Sequence, residues 1–321
     1  MNTQTSSEMN YQKLTLADAW QLASPPTWAA SISPVLIGAA LSLEHFNSQG
    51  QRFLFTARGV LIFVLMFFTS VLLQSAVNVL NDYADFKKGT DTAENSVDLV
   101  DVPIINKNLN PKSALYVALA YLAIAAICGL TVVALTDYLT LVMGLIGAAA
   151  VAFYSLGPKP ISYLPLGEFI SGLVMGEIIC NATYYALVGT FNPLVIVWAL
   201  PLFFTIATIM QTNNTCDIER DIDAGRKTLP ILLGKKWSGR GIALAQMFAL
   251  GVAGAYTISH AFPWGTLIMA LAVVVCARNI VTLYNFDYSY KTRPQAMQGI
   301  AKQAVLVNGF YFAAIVIGAL L

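Results

Sequence analysis

Long apolar runs separated by short polar stretches dominate this chain. A helix needs about 20 apolar residues to cross roughly 30 Å of hydrocarbon. Nine runs approach that length, at 27–44, 58–80, 113–135, 138–157, 167–189, 193–212, 240–259, 263–286 and 301–321. They are continuous rather than alternating, so they read as helices and not as strands of a barrel. Pro34 predicts a kink or tilt in the first. The pattern predicts an all-α, polytopic membrane protein with nine transmembrane helices. Residues 1–25 are polar and hold no apolar stretch of signal-peptide type, so the first apolar run is expected to remain as a span.

The connections alternate in length. Residues 81–112 and 213–239 form long polar loops and 158–166 and 287–300 medium ones, while 136–137, 190–192 and 260–262 are tight and 45–57 is somewhat longer. Nine spans place the long and medium loops on one face with the N-terminus. That face carries 15 of the 18 Lys and Arg residues, against Arg52 and Arg58 on the other face and Arg278 within a span. Cationic loops stay in the cytoplasm, so residues 1–25 and both long loops are expected to be cytoplasmic, in the cell membrane. His45 and His260 fall at predicted outer helix ends, which disfavours a histidine-based catalyst on the cytoplasmic face.

Composition agrees with a lipid environment. The 321 residues are 57% hydrophobic and only 11% charged, against about 25% charged in soluble domains. That excludes a soluble or disordered chain. A net charge of +1 gives no attraction for nucleic acid. Cys128, Cys180, Cys216 and Cys276 have no paired spacing, so neither a disulfide framework nor a zinc site is expected.

The few charges are unevenly placed, and ten of the 17 acidic residues lie in 81–101 and 217–223. The first cluster continues the second run, with Asn78 four residues before Asp82 and Asn81 four before Asp85, followed by Lys87, Lys88, Gly89 and Asp91. If the helix persists, each pair shares one surface. The second cluster continues the sixth run, and Asn213, Asp217 and Asp221 form a stripe, followed by Gly225, Arg226 and Lys227. The two halves resemble each other as a weak internal repeat. Clustered carboxylates repel, and a bound cation removes that cost. Carboxylate and amide oxygens are hard ligands, suited to Mg²⁺, Ca²⁺ or Mn²⁺. Mg²⁺ commonly takes one or two carboxylates and completes its shell with water and substrate phosphates. Two facing stripes would thus grip a diphosphate through Mg²⁺, with Lys88, Arg226 and Lys227 neutralising the remaining charge. The simpler reading is a pair of solvated loops beside a membrane, and an EF-hand does not fit the spacing.

A Pro- and Gly-rich segment from Tyr154 to Glu168 predicts a rigid loop carrying Lys159 near the same level. Lys159 is a candidate phosphate contact, and Tyr154, Tyr163 and Tyr83 are candidates to flank a carbocation. Glu177 and Arg278 lie inside predicted spans, where charges usually face a cavity or pair with each other. A second class of function, a cation-coupled transporter, shares the repeat but expects its charges near mid-membrane.

The run Asn81-Asp-Tyr-x-Asp85, the run Asn213-x-x-x-Asp217-x-x-x-Asp221 and the Gly157-Pro-x-Pro160 loop resemble the UbiA superfamily of intramembrane prenyltransferases. Their continuations to Gly89-x-Asp91 and Gly225-x-x-Thr228 look most like the branch that prenylates 1,4-dihydroxy-2-naphthoate in menaquinone synthesis. The resemblance implies one domain over 1–321, a helix bundle around a central cavity, and Mg²⁺-dependent ionisation of a polyprenyl diphosphate. In that branch the aromatic ring takes the prenyl group and loses CO₂, giving demethylmenaquinone. 4-Hydroxybenzoate or another aromatic is the alternative acceptor. The candidate metal ligands are Asn78, Asp82, Asp85, Asp91, Asp217 and Asp221, the four central aspartates being catalytic. Asn78, Asn81, Lys88, Tyr154, Lys159, Tyr163, Asn213 and Lys227 are the candidate substrate contacts. Relatives often begin with Arg-Pro-x-Thr where this chain has Ser24-Pro-Pro-Thr27, and 92–110 holds no Arg, leaving Lys107 in that segment.

Overall fold

A computed structural model describes residues 11–50, 56–88, 103–155 and 160–321. Among them the elements are helical, and the one β contact is an isolated parallel bridge between Gln12 and Leu109. A short α1 (Leu16–Leu22) precedes α2 (Ala29–Ser48), α3 (Ala57–Lys88), the single turn α4 (Pro103–Asn106), α5 (Pro111–Leu135) and α6 (Tyr138–Ser155). There follow α7 (Gly167–Ser171), a π-helical segment Gly172–Ile178, α8 (Ile179–Val188) and α9 (Leu194–Cys216). The chain closes with α10 (Ile218–Asp223), α11 (Leu229–Leu233), α12 (Lys235–Ser259), α13 (Pro263–Tyr284) and α14 (Arg293–Leu320).

Helix ends follow local chemistry. Thr15 caps α1 in a reciprocal box with Asp18. Pro111 and Pro263 begin α5 and α13, where a missing N–H costs nothing. Gly189, at φ +79°, ends α8 in the left-handed region. Pro34 lies inside α2, which nevertheless runs as one helix.

The expected count of nine spans is not confirmed among the described residues. Seven helices among the described residues are long and apolar enough to cross a membrane. The apolar stretch of α6, Tyr138–Tyr154, is shorter. The run at 167–189 is divided by its π segment, whose wider turn has a packing cause. A Cβ on Gly172 would lie 2.7 Å from the Phe203 carbonyl oxygen, and one on Gly176 would lie 2.7 Å from the Phe203 nitrogen. This Gly-x-x-x-Gly face therefore meets the α9 backbone directly, the contact small residues permit between membrane helices.

The largest apolar cluster joins α2, α8, α9, α12, α13 and α14 around Ile37, Leu202, Tyr256 and Tyr311. A second joins α2, α3, α5 and α8. A third seats Leu22 and Ile104 on Val79, Leu80 and Ala114, which fixes the N-terminal segment across α3 and α5. Large apolar side chains such as Ile127 on α5 and Val274 on α13 point outward, as lipid-facing helices require. The bundle is that of a multi-pass membrane protein.

Candidate active site

Both acidic clusters extend helices beyond their apolar runs. α3 continues to Lys88, so Asn78/Asp82 and Asn81/Asp85 do lie on neighbouring turns of one helix. α9 ends at Cys216 and α10 starts at Ile218, with Asp217 between them at φ −100°, ψ 11°. The spacing survives this break because Asp217 N–H still donates to Asn213 O at 3.2 Å and Asp221 N–H to Asp217 O at 2.8 Å.

The two clusters meet through Arg226. Its Nη2 donates to Asp85 Oδ1 at 3.1 Å and its Nη1 to Asp221 Oδ1 at 3.3 Å. The guanidinium also lies 5.2 Å from the centre of the Tyr163 ring. Local sequence builds this placement. Gly225, at φ +72°, ends α10, and the Arg226 N–H folds back to Asp221 O at 2.8 Å, a Schellman-type bond. The next amide, Lys227 N–H, donates to Tyr163 O at 3.0 Å. The Lys227 side chain is exposed.

Burial pushes the Asp221 carboxyl up to about 6, with Asp217 adding to the rise and Arg226 opposing it. Burial works against the charge on Arg226, yet Asp85 first and Asp221 next outweigh it and raise its pKa further. Of the two carboxylates on this guanidinium, Asp221 is the more deeply buried.

A second arginine holds the other end of the motif. Arg293 Nε and Nη2 donate to Asn213 Oδ1 at 3.1 and 2.7 Å, and Nε lies 3.2 Å from Asp217 Oδ2. Asn213 in turn donates to Asn214 Oδ1 at 3.4 Å, and Asn214 Nδ2 donates to Glu168 Oε1 at 2.8 Å. Sequence reasoning counted Arg293 only as a cytoplasmic charge and Glu168 only as the end of a loop. Neither carries a motif, because each acquires its role from a partner on another helix.

Asn78 is committed to the N-terminal segment. Its Nδ2 donates to Ala23 O and to Thr27 Oγ1, each at 3.0 Å, and its Oδ1 accepts from Gln74 at 3.3 Å. Asn81 and Asp82 are half-buried on the same stretch. Tyr83 packs into the cluster beneath Leu22, with the Lys87 ammonium 5.5 Å from its ring centre. Tyr154 donates to Met210 Sδ at 3.2 Å and also packs near Gly167. Asp91, Lys159 and the side chain of Lys88 lie outside the described residues. Glu177 and Arg278 do not pair: Glu177 is buried with Oε2 accepting from Asn181 at 3.3 Å and Oε1 without a hydrogen bond, whereas Arg278 is exposed.

The donor set suits a hard cation. It consists of carboxylates and amides, and Asp221 Oδ2 is buried without a hydrogen-bond partner. Among the described residues no three His, Cys, Asp or Glu side chains converge as a ready metal cage. Mg²⁺ does not need one, since it binds through one or two carboxylates and borrows oxygens from water and phosphate.

Residues 31–317 match the family model described as the UbiA prenyltransferase family. The chain is 36% identical over 248 residues to the 1,4-dihydroxy-2-naphthoate octaprenyltransferase of Bacillus subtilis, covering 76% of this chain and 75% of that protein. It is 27% identical to the enzyme of the same name from Haemophilus influenzae, covering 93% and 96%. Among solved structures it resembles a UbiA homolog from Archaeoglobus fulgidus bound to GPP and Mg²⁺, with a TM-score of 0.65, 16% identity and coverage of 93% and 99%. At that identity the likeness is one of fold.

Proposed function

The chain belongs to the UbiA prenyltransferase family and is a prenyl-transferring enzyme of the membrane, and from this we propose that it joins a polyprenyl group to 1,4-dihydroxy-2-naphthoate. The donor is a polyprenyl diphosphate, and the products are demethylmenaquinone, CO₂ and diphosphate. The observation that carries this reading is the contact of Arg226 with both Asp85 and Asp221, because it brings two separate acidic motifs to one end of the bundle. The naphthoate is supported by the two relatives that carry its name.

Asp82, Asp85, Asp217 and Asp221 would hold Mg²⁺, with Asn78, Asn213 and Asp91 beside them. Bound there, Mg²⁺ supplies Lewis-acid stabilisation of the charge that develops on the departing diphosphate. Lys88, Lys159, Arg226 and Lys227 offer cationic contacts to the phosphates, and Asn81 a polar one. Tyr154 and Tyr163 present ring faces to the allylic centre as the C–O bond breaks. The helix bundle keeps water from that centre. The excess of Lys and Arg on the motif-bearing loops supports an orientation with the site and the N-terminus facing the cytoplasm of the cell membrane.

The test is a product assay on membranes containing the protein, with radiolabelled farnesyl or a longer diphosphate. Carboxyl-labelled dihydroxynaphthoate should yield labelled CO₂ and a prenylated quinol, only with Mg²⁺ and not in Asp82→Ala or Asp217→Ala. Prenylation of 4-hydroxybenzoate instead would overturn the acceptor. Full activity in EDTA, or in both variants, would overturn the site.

A further inference from the structure

Arg226 does two things that a simple ion pair does not. It spans carboxylates from two different motifs, 141 and 5 positions away in sequence. It also keeps one donor in reserve, because its Nε is buried without a hydrogen-bond partner. The carboxylate beside it mirrors this. Asp221 gives Oδ1 to the guanidinium, while its Oδ2 is buried without a partner. A buried donor and a buried acceptor left without partners each carry the full cost of their desolvation. They do not satisfy each other here. A ligand that offers an anionic oxygen to Nε and a cation to Oδ2 would satisfy both at once, and a metal–diphosphate pair has that character.

We propose that Arg226 is a positioning residue that couples the two halves of this ligand, occupying Asp85 and Asp221 until a diphosphate draws its guanidinium away. The inference rests on the prenyl-transfer reading above. A guanidinium and a divalent cation compete for the negative charge of the same carboxylates, so the metal alone binds weakly. Phosphate oxygens form the strong, forked contacts that guanidinium favours. Engaging them loosens its hold on Asp85 and Asp221, and the freed oxygens then accept the metal. The coupling is reciprocal, so metal also tightens diphosphate binding by the same factor. The Gly225 turn and the Arg226 N–H bond to Asp221 O fix the base of the side chain, and the Tyr163 ring lies against the guanidinium itself, so the exchange needs a side-chain swing rather than a loop movement. The site would thereby avoid holding metal without donor substrate.

The coupling is measured on the purified full chain in detergent by Mn²⁺ binding, read by electron paramagnetic resonance, with and without inorganic diphosphate and corrected for Mn²⁺–diphosphate complexes in solution. In the unsubstituted protein, diphosphate should tighten Mn²⁺ binding about tenfold, within the usual range of such couplings. In Arg226→Gln, Mn²⁺ alone should bind several-fold tighter than in the parent, and the effect of diphosphate should fall below about threefold. Arg226→Lys, which retains charge and guards against loss of folding, should lie between them. Mn²⁺ binding no tighter in Arg226→Gln, or an undiminished effect of diphosphate, would overturn the coupling. That outcome leaves prenyl transfer standing, since EDTA-sensitive product formation is scored separately.

Discussion

Arg293, the first residue of α14, sets its Nε 3.2 Å from Oδ2 of Asp217 at the end of α9. The same guanidinium takes Asn213 Oδ1 with two donors, so the last helix of the bundle orients the second acidic motif. Lysine retains the charge but not the fork. Arg293→Lys should therefore lower kcat/KM by about 10–100-fold, the cost of losing a contact that orients a proposed metal ligand. The Mg²⁺ concentration for half-maximal rate should rise with it. Arg293→Gln should be worse still, and an unaltered Mg²⁺ titration in that variant would count against the orienting role.

Glu168 separates a packing role from a charge role. Its Oε1 accepts from Asn214, and its Oε2 is buried with no partner. Glu168→Gln preserves the acceptor and removes a buried charge, so its thermal midpoint should match or exceed that of the parent. Glu168→Ala strands Asn214 Nδ2 and should cost about 1–3 kcal/mol, read as a lower midpoint in detergent. If the Gln variant proved the less stable of the two, the carboxylate charge itself would have to be needed for folding.

Gly176 faces backbone at close range. An added Cβ would lie 2.7 Å from Phe203 N and 2.8 Å from Leu202 C. Neither neighbour is a side-chain tip that can swing aside, so Gly176→Ala should separate α9 from the π segment. The expected loss is about 1–3 kcal/mol, measured by thermal unfolding. Gly144 has open space around it, so Gly144→Ala should leave the midpoint unchanged or raise it.

Asp18 ties the N-terminal segment to Lys107 at 2.7 Å. The hydrogen bond from Lys107, and then the one from Thr15, lower its pKa from 3.8 to about 2. A depressed carboxylate stabilises the fold above its unfolded pKa. Its contribution should be complete above about pH 4 and disappear as pH falls through about 2. Lys107 is partly exposed, so the contribution at neutral pH should be about 1 kcal/mol. The Trp20–Trp28 edge contact, at 4.9 Å between ring centres, provides a local fluorescence readout. Asp18→Asn should weaken that contact at neutral pH and remove its acid dependence between these limits.

What the chain reveals unaided is whatever depends on near neighbours in sequence. The length of an apolar run fixes that it becomes a membrane helix, because backbone polar groups in lipid must be satisfied within the segment. Four-residue spacing puts Asn78 with Asp82 and Asn81 with Asp85, since helix geometry is local. Composition in the run at 167–189 hides a π segment, because the α9 backbone packed against Gly172 and Gly176 lies on another helix. The tertiary structure alone decides which cation meets which carboxylate: Arg226 with Asp85 and Asp221, and Arg293 with Asp217. It also turns Asn78 toward Ala23 and Thr27, and makes Glu168 a partner of Asn214. Charge–charge distances across a bundle are set by how helices pack, and no spacing along the chain records that packing.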